Sequence, residues 1–301
     1  MDSLTAIRAP RLKANQLVGI IAPASPISKS EIRKGIQLIE SFPLQVRLGT
    51  HLFDHSHYLA GSDQDRASDI HQMFSDPEIK AILCARGGYG SLRFLDKIDY
   101  GLIRKNPKVL VGFSDLTALL TAIYKHSGLI TIHGPTVSDL LNGDNWQHLS
   151  RLITTSYKPR LSLKRGMVIN GGTARGILLG GNLATLCSLI DTPFLPSFEG
   201  VILFLEEKGE QPYRLDRMLT QLLLSGRLDH LSALVIGQIQ GCGDEQVVYG
   251  LLRERFSEMA VPVVTGLPVG HGVENISLPL GLPALLDTEG MVLEIEESAV
   301  S

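Results

Sequence analysis

Cysteine is scarce in this chain of 301 residues: Cys84, Cys187 and Cys242 stand far apart, too few for a disulfide framework and without the paired spacing of a zinc site. Such usage suits a reducing compartment. Neither sign of charge dominates, with 28 Lys and Arg against 31 Asp and Glu, so the chain lacks the electrostatic footprint of a nucleic-acid binder. Aromatic residues are few and Trp146 is the only tryptophan, so there is no basic stripe interleaved with aromatics either. No apolar run is long enough to cross a membrane. The run nearest the start, Leu17 to Ala22, halts at Pro23 and is shorter than the apolar core of a signal peptide, which predicts cytoplasmic residence. What the chain does have is 44% hydrophobic residues, enough for one large core or two moderate ones, and its length favours two domains.

The first half alternates in period. Val18–Ala22, Gln45–Leu48, Ile79–Ala85 and Val109–Val111 read as strands, while Ser30–Ser41 and Asp63–Phe74 read as helices. This βαβ rhythm predicts an α/β fold with a mostly parallel N-terminal sheet flanked by helices, over residues 1–140. From 141 to 173 the pattern loosens, with Asn142-Gly143-Asp144-Asn145-Trp146 and Asn170-Gly171-Gly172 as loop signals, and this stretch is expected to link the domains. A second, smaller α/β domain is expected over 174–301. Its predicted strands are Ile177–Leu179, Val201–Leu205, Ala233–Gln238, Pro262–Leu267 and Val292–Ile295, with a helix near Arg214–Ser225. Leu280–Leu286, interrupted by Pro283, reads as an irregular or edge segment.

Ligands on such sheets gather beyond the carboxyl ends of the strands. Two glycine-containing turns fall there: Arg86-Gly87-Gly88-Tyr89-Gly90 and Gly112-Phe113-Ser114. Gly112 permits a tight turn, and Leu116, Leu119, Leu120 and Tyr124 then form an apolar helix face. Ser114 has two readings, a helix N-cap or a nucleophile at a helix N-terminus, where free N–H groups such as that of Asp115 favour developing negative charge. A nucleophilic serine needs a base, and the base an orienting acid. His271, between Gly270 and Gly272, follows a buried run and reads as that base or as a loop residue capping a turn. Glu206 closes the apolar run Val201–Leu205 and competes with Glu207 and Glu210 for the acid. Strand alternation sends Glu206 and Glu207 to opposite faces, so at most one of them points at the histidine. The Gly87–Gly90 turn can offer a second oxyanion donor, and Arg86 beside it either meets a substrate carboxylate or forms a structural ion pair. No P-loop or dinucleotide fingerprint follows that turn. His51, Asp54, His55 and His57 crowd together without the spacing of a common zinc motif and read as a polar loop, so no metal is expected.

The order Ser114, Glu206, His271 resembles the LD-carboxypeptidases, a serine peptidase family that also holds the microcin C immunity proteins. The resemblance spans nearly the whole chain. It rests on Ile21-Ala22-Pro23-Ala24-Ser25-Pro26, Tyr58-Leu59-Ala60-Gly61 with Asp65-Arg66, Ala85-Arg86-Gly87-Gly88-Tyr89-Gly90-Ser91 and Gly112-Phe113-Ser114-Asp115. It continues through His133-Gly134-Pro135, Gly180-Gly181-Asn182-Leu183, Leu205-Glu206-Glu207, Tyr213-Arg214-Leu215-Asp216-Arg217-Met218-Leu219 and Gly270-His271 with Asn275. Membership implies removal of the terminal D-alanine from a murein tetrapeptide during cell-wall recycling, without a metal or other cofactor. It implies Ser114 as nucleophile, His271 as base, Glu206 as orienting acid and the Gly88 and Asp115 N–H groups as oxyanion hole. A homodimer is a further expectation. The alternatives are an immunity-type peptidase acting on an aminoacyl-nucleotide conjugate, for which Trp146 is the sole tryptophan able to stack on a base, and a non-catalytic peptide or amino-acid binder.

Overall fold

The computed structural model describes residues 5–301. In chain order its elements are β1 (Leu17–Ile21), α1 (Lys29–Ser41), β2 (Gln45–Leu48), α2 (Asp63–Ser75), β3 (Ile79–Cys84), α3 (Tyr100–Lys105), β4 (Val109–Gly112), α4 (Thr117–Ser127) and β5 (Thr131–His133). There follow α5 (Asn145–Thr154), β6 (Arg160–Ser162), β7 (Val168–Asn170), β8 (Thr173–Asn182), α6 (Leu183–Ser188), β9 (Val201–Lys208), α7 (Pro212–Leu224) and β10 (Ala233–Gln240). The chain closes with α8 (Glu245–Phe256), β11 (Val263–Val264), β12 (Leu278–Leu280), β13 (Pro283–Asp287) and β14 (Val292–Ile295).

Two sheets organise the molecule. The first has the order β12-β5-β4-β3-β1-β2 and is parallel except for β12, which runs antiparallel to β5. The second has the order β6-β14-β13-β8-β9-β10-β11-β7, with β8 to β11 parallel and the outer strands antiparallel. The α/β architecture with a largely parallel N-terminal sheet is therefore as the alternation predicts. Strands buried on both faces read as continuous apolar runs, which is why β3, β4 and the first part of β9 are legible as strands.

Several local expectations change. Leu280–Leu286 is divided: Leu280 ends β12, an edge strand of the first sheet as expected, whereas from Pro283 on the segment is β13, inside the second sheet between β14 and β8, where Pro283 is tolerated because it opens the strand. The Pro262–Leu267 run shortens to Val263–Val264, since Gly266 adopts φ +92° and turns the chain away. The stretch 141–173 carries α5, which buries Trp146 and Leu149, and two short strands of the second sheet. After its excursion through the second sheet the chain returns to the first, where Leu278 pairs with His133 in β5. Both helices of the first βαβ units begin at reciprocal capping boxes, Ser28 with Glu31 and Ser62 with Asp65. Among the described residues no helix is long and apolar enough to cross a membrane.

Candidate active site

Three turns from the first sheet meet at the carboxyl ends of β1, β3 and β4. Phe113 is fully extended, and Ser114 then takes φ +65°, a left-handed conformation that costs a non-glycine residue roughly 1–2 kcal/mol. Such strain persists only where neighbours over-determine it. The left-handed residue of this turn is thus Ser114 itself and not Gly112. Gly112 is needed for space instead, because a Cβ there would lie 2.7 Å from Leu116 Cδ1. Nor does the Ser114 hydroxyl cap a helix: a short 3-10 turn over Ser114–Leu116 precedes α4, and no side chain caps either element.

The glycine turn fits closely around that serine. A Cβ on Gly87 would sit 2.9 Å from Ser114 Cβ, and Gly88, at φ +113°, would drive one to 2.2 Å from Ser25 Oγ. Ser25 holds the turn from below, its Oγ accepting from Tyr89 N–H at 3.1 Å. The buried Arg66 guanidinium donates at 2.8 Å to both Pro23 O and Gly90 O, so one cation ties the exit of β1 to the glycine turn. Asp115 ties the same turn to the serine turn, its Oδ2 accepting from Ser91 N–H at 2.8 Å. Among the described residues the Gly88 and Asp115 N–H groups donate no hydrogen bond, which leaves them free for a ligand.

The second sheet supplies the other wall. Glu206 lies on the interior strand β9 and is fully buried, and its Oε2 accepts from His271 Nδ1 at 2.7 Å. Strand β10 is irregular opposite this point, between Ile236 and Ile239, and the two residues displaced there both serve the site. Gly237 leaves room beside Glu206 Cβ, while Gln238 reaches the histidine loop, donating to Glu274 O at 2.9 Å and accepting from Gly272 N–H. Gly270, at φ +135°, lets the loop lie directly over the carboxylate, since a Cβ would stand 3.0 Å from Glu206 Oε2. Asn275 closes the loop with its Oδ1 on Gly270 N–H at 3.1 Å. The His271 ring packs against Phe113, centroid to centroid 4.9 Å, so the residue before Ser114 also beds the imidazole.

Alternation separates the two acids as expected. Glu207 makes no bond to His271 and accepts from Asn182 Nδ2 at 3.0 Å, Ala184 N–H at 2.8 Å and Lys208 N–H at 2.8 Å. Burial pushes its carboxyl pKa upward, and these three donors oppose the shift. Glu210 is 3.6 Å from Arg214. The two sheets are fastened close to the serine, where Asn182 N–H donates to Thr117 Oγ1 at 3.1 Å.

A cleft runs between these walls in two lobes. The larger, about 450 Å³, includes Tyr89, Leu92, Asp115, Asn182 and Glu207 in its lining, and the smaller, about 320 Å³, includes Glu31, Arg86, Phe113 and Asp139. Gly88, Ser114, Lys208 and His271 line both. Arg86 Nη1 donates to Pro26 O at 3.2 Å and lies 3.4 Å from Glu31, with its side chain 40% exposed. Trp146 is remote from the cleft: it is buried against Phe42 and lines a separate apolar cavity. Of the polar loop, His51 meets Asp54 at 2.7 Å and approaches Asp65 at 3.8 Å, and His55 and His57 do not join them.

Residues 18–134 match the LD-carboxypeptidase N-terminal domain and residues 175–286 the LD-carboxypeptidase C-terminal domain. A protein of Bacillus subtilis named "probable murein peptide carboxypeptidase" is 37% identical over 298 residues, covering 95% of this chain and 93% of its own. The murein tetrapeptide carboxypeptidase of Pseudomonas aeruginosa is 35% identical over 286 residues, 90% of this chain and 92% of its own. Among solved structures, an MccF-like protein from Bacillus anthracis superposes with a TM-score of 0.90 at 26% identity, covering 97% of this chain and all of the other. These matches define a peptide hydrolase of the serine type. The chain belongs to the LD-carboxypeptidase family.

The pattern in the sequence gave no reason to single out Ser25, Ser91, Asn182, Gln238 or Lys208 as site residues. Ser25, Ser91 and Asn182 stand inside stretches that carry the family resemblance, so a signal existed. Gln238 carried none, because its role depends on an irregular strand.

Proposed function

We propose that the chain removes the terminal D-alanine of murein tetrapeptide through Ser114, His271 and Glu206. The observation that carries this reading is the 2.7 Å bond between His271 Nδ1 and the fully buried Glu206, on a cleft that the strained Ser114 also lines. A buried carboxylate that accepts from Nδ1–H fixes the tautomer and leaves Nε2 free to act as base. In the proposed reaction Nε2 takes the Ser114 proton as Oγ attacks the carbonyl before D-alanine. The tetrahedral oxyanion rests on the Gly88 and Asp115 N–H groups, whose loss is worth on the order of 3 kcal/mol each in the barrier. The imidazolium then protonates the leaving nitrogen and D-alanine departs. Water, deprotonated by the same imidazole, attacks the acyl-serine and regenerates Ser114. Glu206 keeps its charge throughout and stabilises the transient imidazolium.

Cell-wall recycling in the cytoplasm is the setting proposed for this reaction, supported by three cysteines that are all free and buried. The same reading carries a homodimer, supported by the exposed Leu224 and Val247 on the packed helices α7 and α8. An aminoacyl-nucleotide substrate calls for a stacking face. Trp146 lies outside the cleft and, besides the His271 imidazole, only Tyr89 and Phe113 among the described residues bring aromatic rings to it, which favours the peptide. Incubation with murein tetrapeptide tests the reading. Release of free D-alanine, abolished by Ser114→Ala, is expected; hydrolysis of an aminoacyl-nucleotide conjugate with no D-alanine released from the tetrapeptide would overturn it.

A further inference from the structure

Four residues line both lobes of the cleft. Three of them, Ser114, His271 and Gly88, have roles in the proposed chemistry. The fourth, Lys208, is the last residue of β9, and its ammonium forms no ion pair or hydrogen bond among the described residues, although the strand carries it to the edge of the reacting centre. The acids around it are otherwise engaged. Both Glu207 oxygens accept from Asn182, Ala184 and the Lys208 backbone N–H, and Glu210 pairs with Arg214.

A carboxypeptidase imposes a short reach on its cation. The substrate carboxylate is separated from the scissile carbonyl carbon only by the leaving nitrogen and one Cα, so the group that reads it must stand beside the nucleophile and not at the far end of a lobe. Arg86 meets this requirement less well. It lines one lobe only, and Pro26 O and the Glu31 carboxylate already occupy part of its fork. Lys208 lines both lobes together with Ser114 and His271 and has its charge unspent.

We infer that Lys208 is the residue that receives the C-terminal carboxylate of the substrate and so makes the site a carboxypeptidase. A free, exposed ammonium costs little to desolvate partly and gains a charge-assisted contact when the carboxylate arrives. Its contribution falls on substrate docking, since the carboxylate is present before and after the attack on the carbonyl. This assignment rests on the proposed D-alanine release and specifies the end of the substrate that the site recognises.

The test compares murein tetrapeptide with the same peptide ending in D-alaninamide, on the full chain and on Lys208→Met, Lys208→Arg and Arg86→Met. The full chain is expected to prefer the free acid, and Lys208→Met to raise KM for it by about 30-fold or more with a much smaller change in kcat. Lys208→Met should also abolish the preference for acid over amide, and Lys208→Arg should restore most of it. An unchanged melting temperature in Lys208→Met is expected for so exposed a side chain. If Lys208→Met keeps the preference while Arg86→Met loses it, the carboxylate belongs to Arg86 and the inference is overturned. Release of no D-alanine by the unmodified chain would instead sink the functional reading beneath it, a separate outcome.

Discussion

Ser91 and Asp115 bind each other twice: the Ser91 N–H donates to Asp115 Oδ2 at 2.8 Å, and the Ser91 hydroxyl donates to the Asp115 carbonyl at 2.5 Å. The pair ties together the two turns that carry the Gly88 and Asp115 N–H groups of the proposed oxyanion hole. Ser91 is fully buried, so its hydroxyl has no solvent to fall back on.

Removing that hydroxyl is a direct check on the oxyanion hole. Ser91→Ala leaves the Asp115 carbonyl short of a donor and frees the turns to drift, and a misplacement of about 1 Å at such a site costs on the order of 10²-fold in rate. The expected result is a fall of that size in kcat on murein tetrapeptide with KM little changed. Equal losses in kcat and stability, or a rise in KM alone, would assign the pair to folding or docking instead.

Ser114 should cost the fold stability that it returns as reactivity. At φ +65° a serine is strained and a glycine is not. Ser114→Gly and Ser114→Ala are both expected to be inactive, but only the glycine variant relieves the backbone, by about 1 kcal/mol. Thermal or urea unfolding of the two variants side by side measures the difference. Equal stability would mean that the turn is not strained.

How far the sequence reveals this site depends on the range of the signal. The strands β1, β3, β4 and β9 and the turns after them are local patterns, legible because apolar runs stop at a proline, near a glycine or at an acid. Strand alternation limits the partner of His271 to one of two neighbouring acids, and only the family resemblance points to Glu206. The pairing itself depends on the irregularity in β10 and the loop held by Gln238, which no local pattern announces. Glycine usually marks the tight turn, which points to Gly112, yet the left-handed residue is Ser114, packed closely against Gly87. Pro283 misled in the opposite sense, since proline at the first position of an interior strand removes no ladder bond that the sheet needs.

The two acids of β9 should respond oppositely to neutralisation. Glu206→Gln keeps the shape but offers His271 Nδ1 an amide, which favours the wrong tautomer and removes the charge facing the imidazolium. A loss of about 10³–10⁴-fold in kcat is expected, the size seen when the orienting acid of a serine triad is made an amide. Glu207→Gln loses charge at the start of α6 and is expected to lower the melting temperature while retaining turnover. Turnover retained by Glu206→Gln and lost by Glu207→Gln would move the orienting role to the second acid.

Acid should unfold the chain partly through His133. Its ring is wholly buried in β5, edge-on to Phe204 at 4.9 Å and to Phe113 at 5.9 Å, and neither ring nitrogen has a partner among the described residues. Burial, helped by the nearby charge of His271, pushes its pKa down from 6.5 to about 3. The unfolded chain therefore binds this proton first as pH falls. Stability is fully present above pH 6.5 and declines from there towards pH 3, at a limiting slope of about 1.4 kcal/mol per pH unit from this group. His133→Leu removes two unpartnered buried nitrogens at similar volume, so it should match the unmodified chain at neutral pH and hold its fold to lower pH. Melting temperature recorded from pH 7 to pH 3 for both proteins decides the matter: parallel curves would leave the acid limb to the carboxylates.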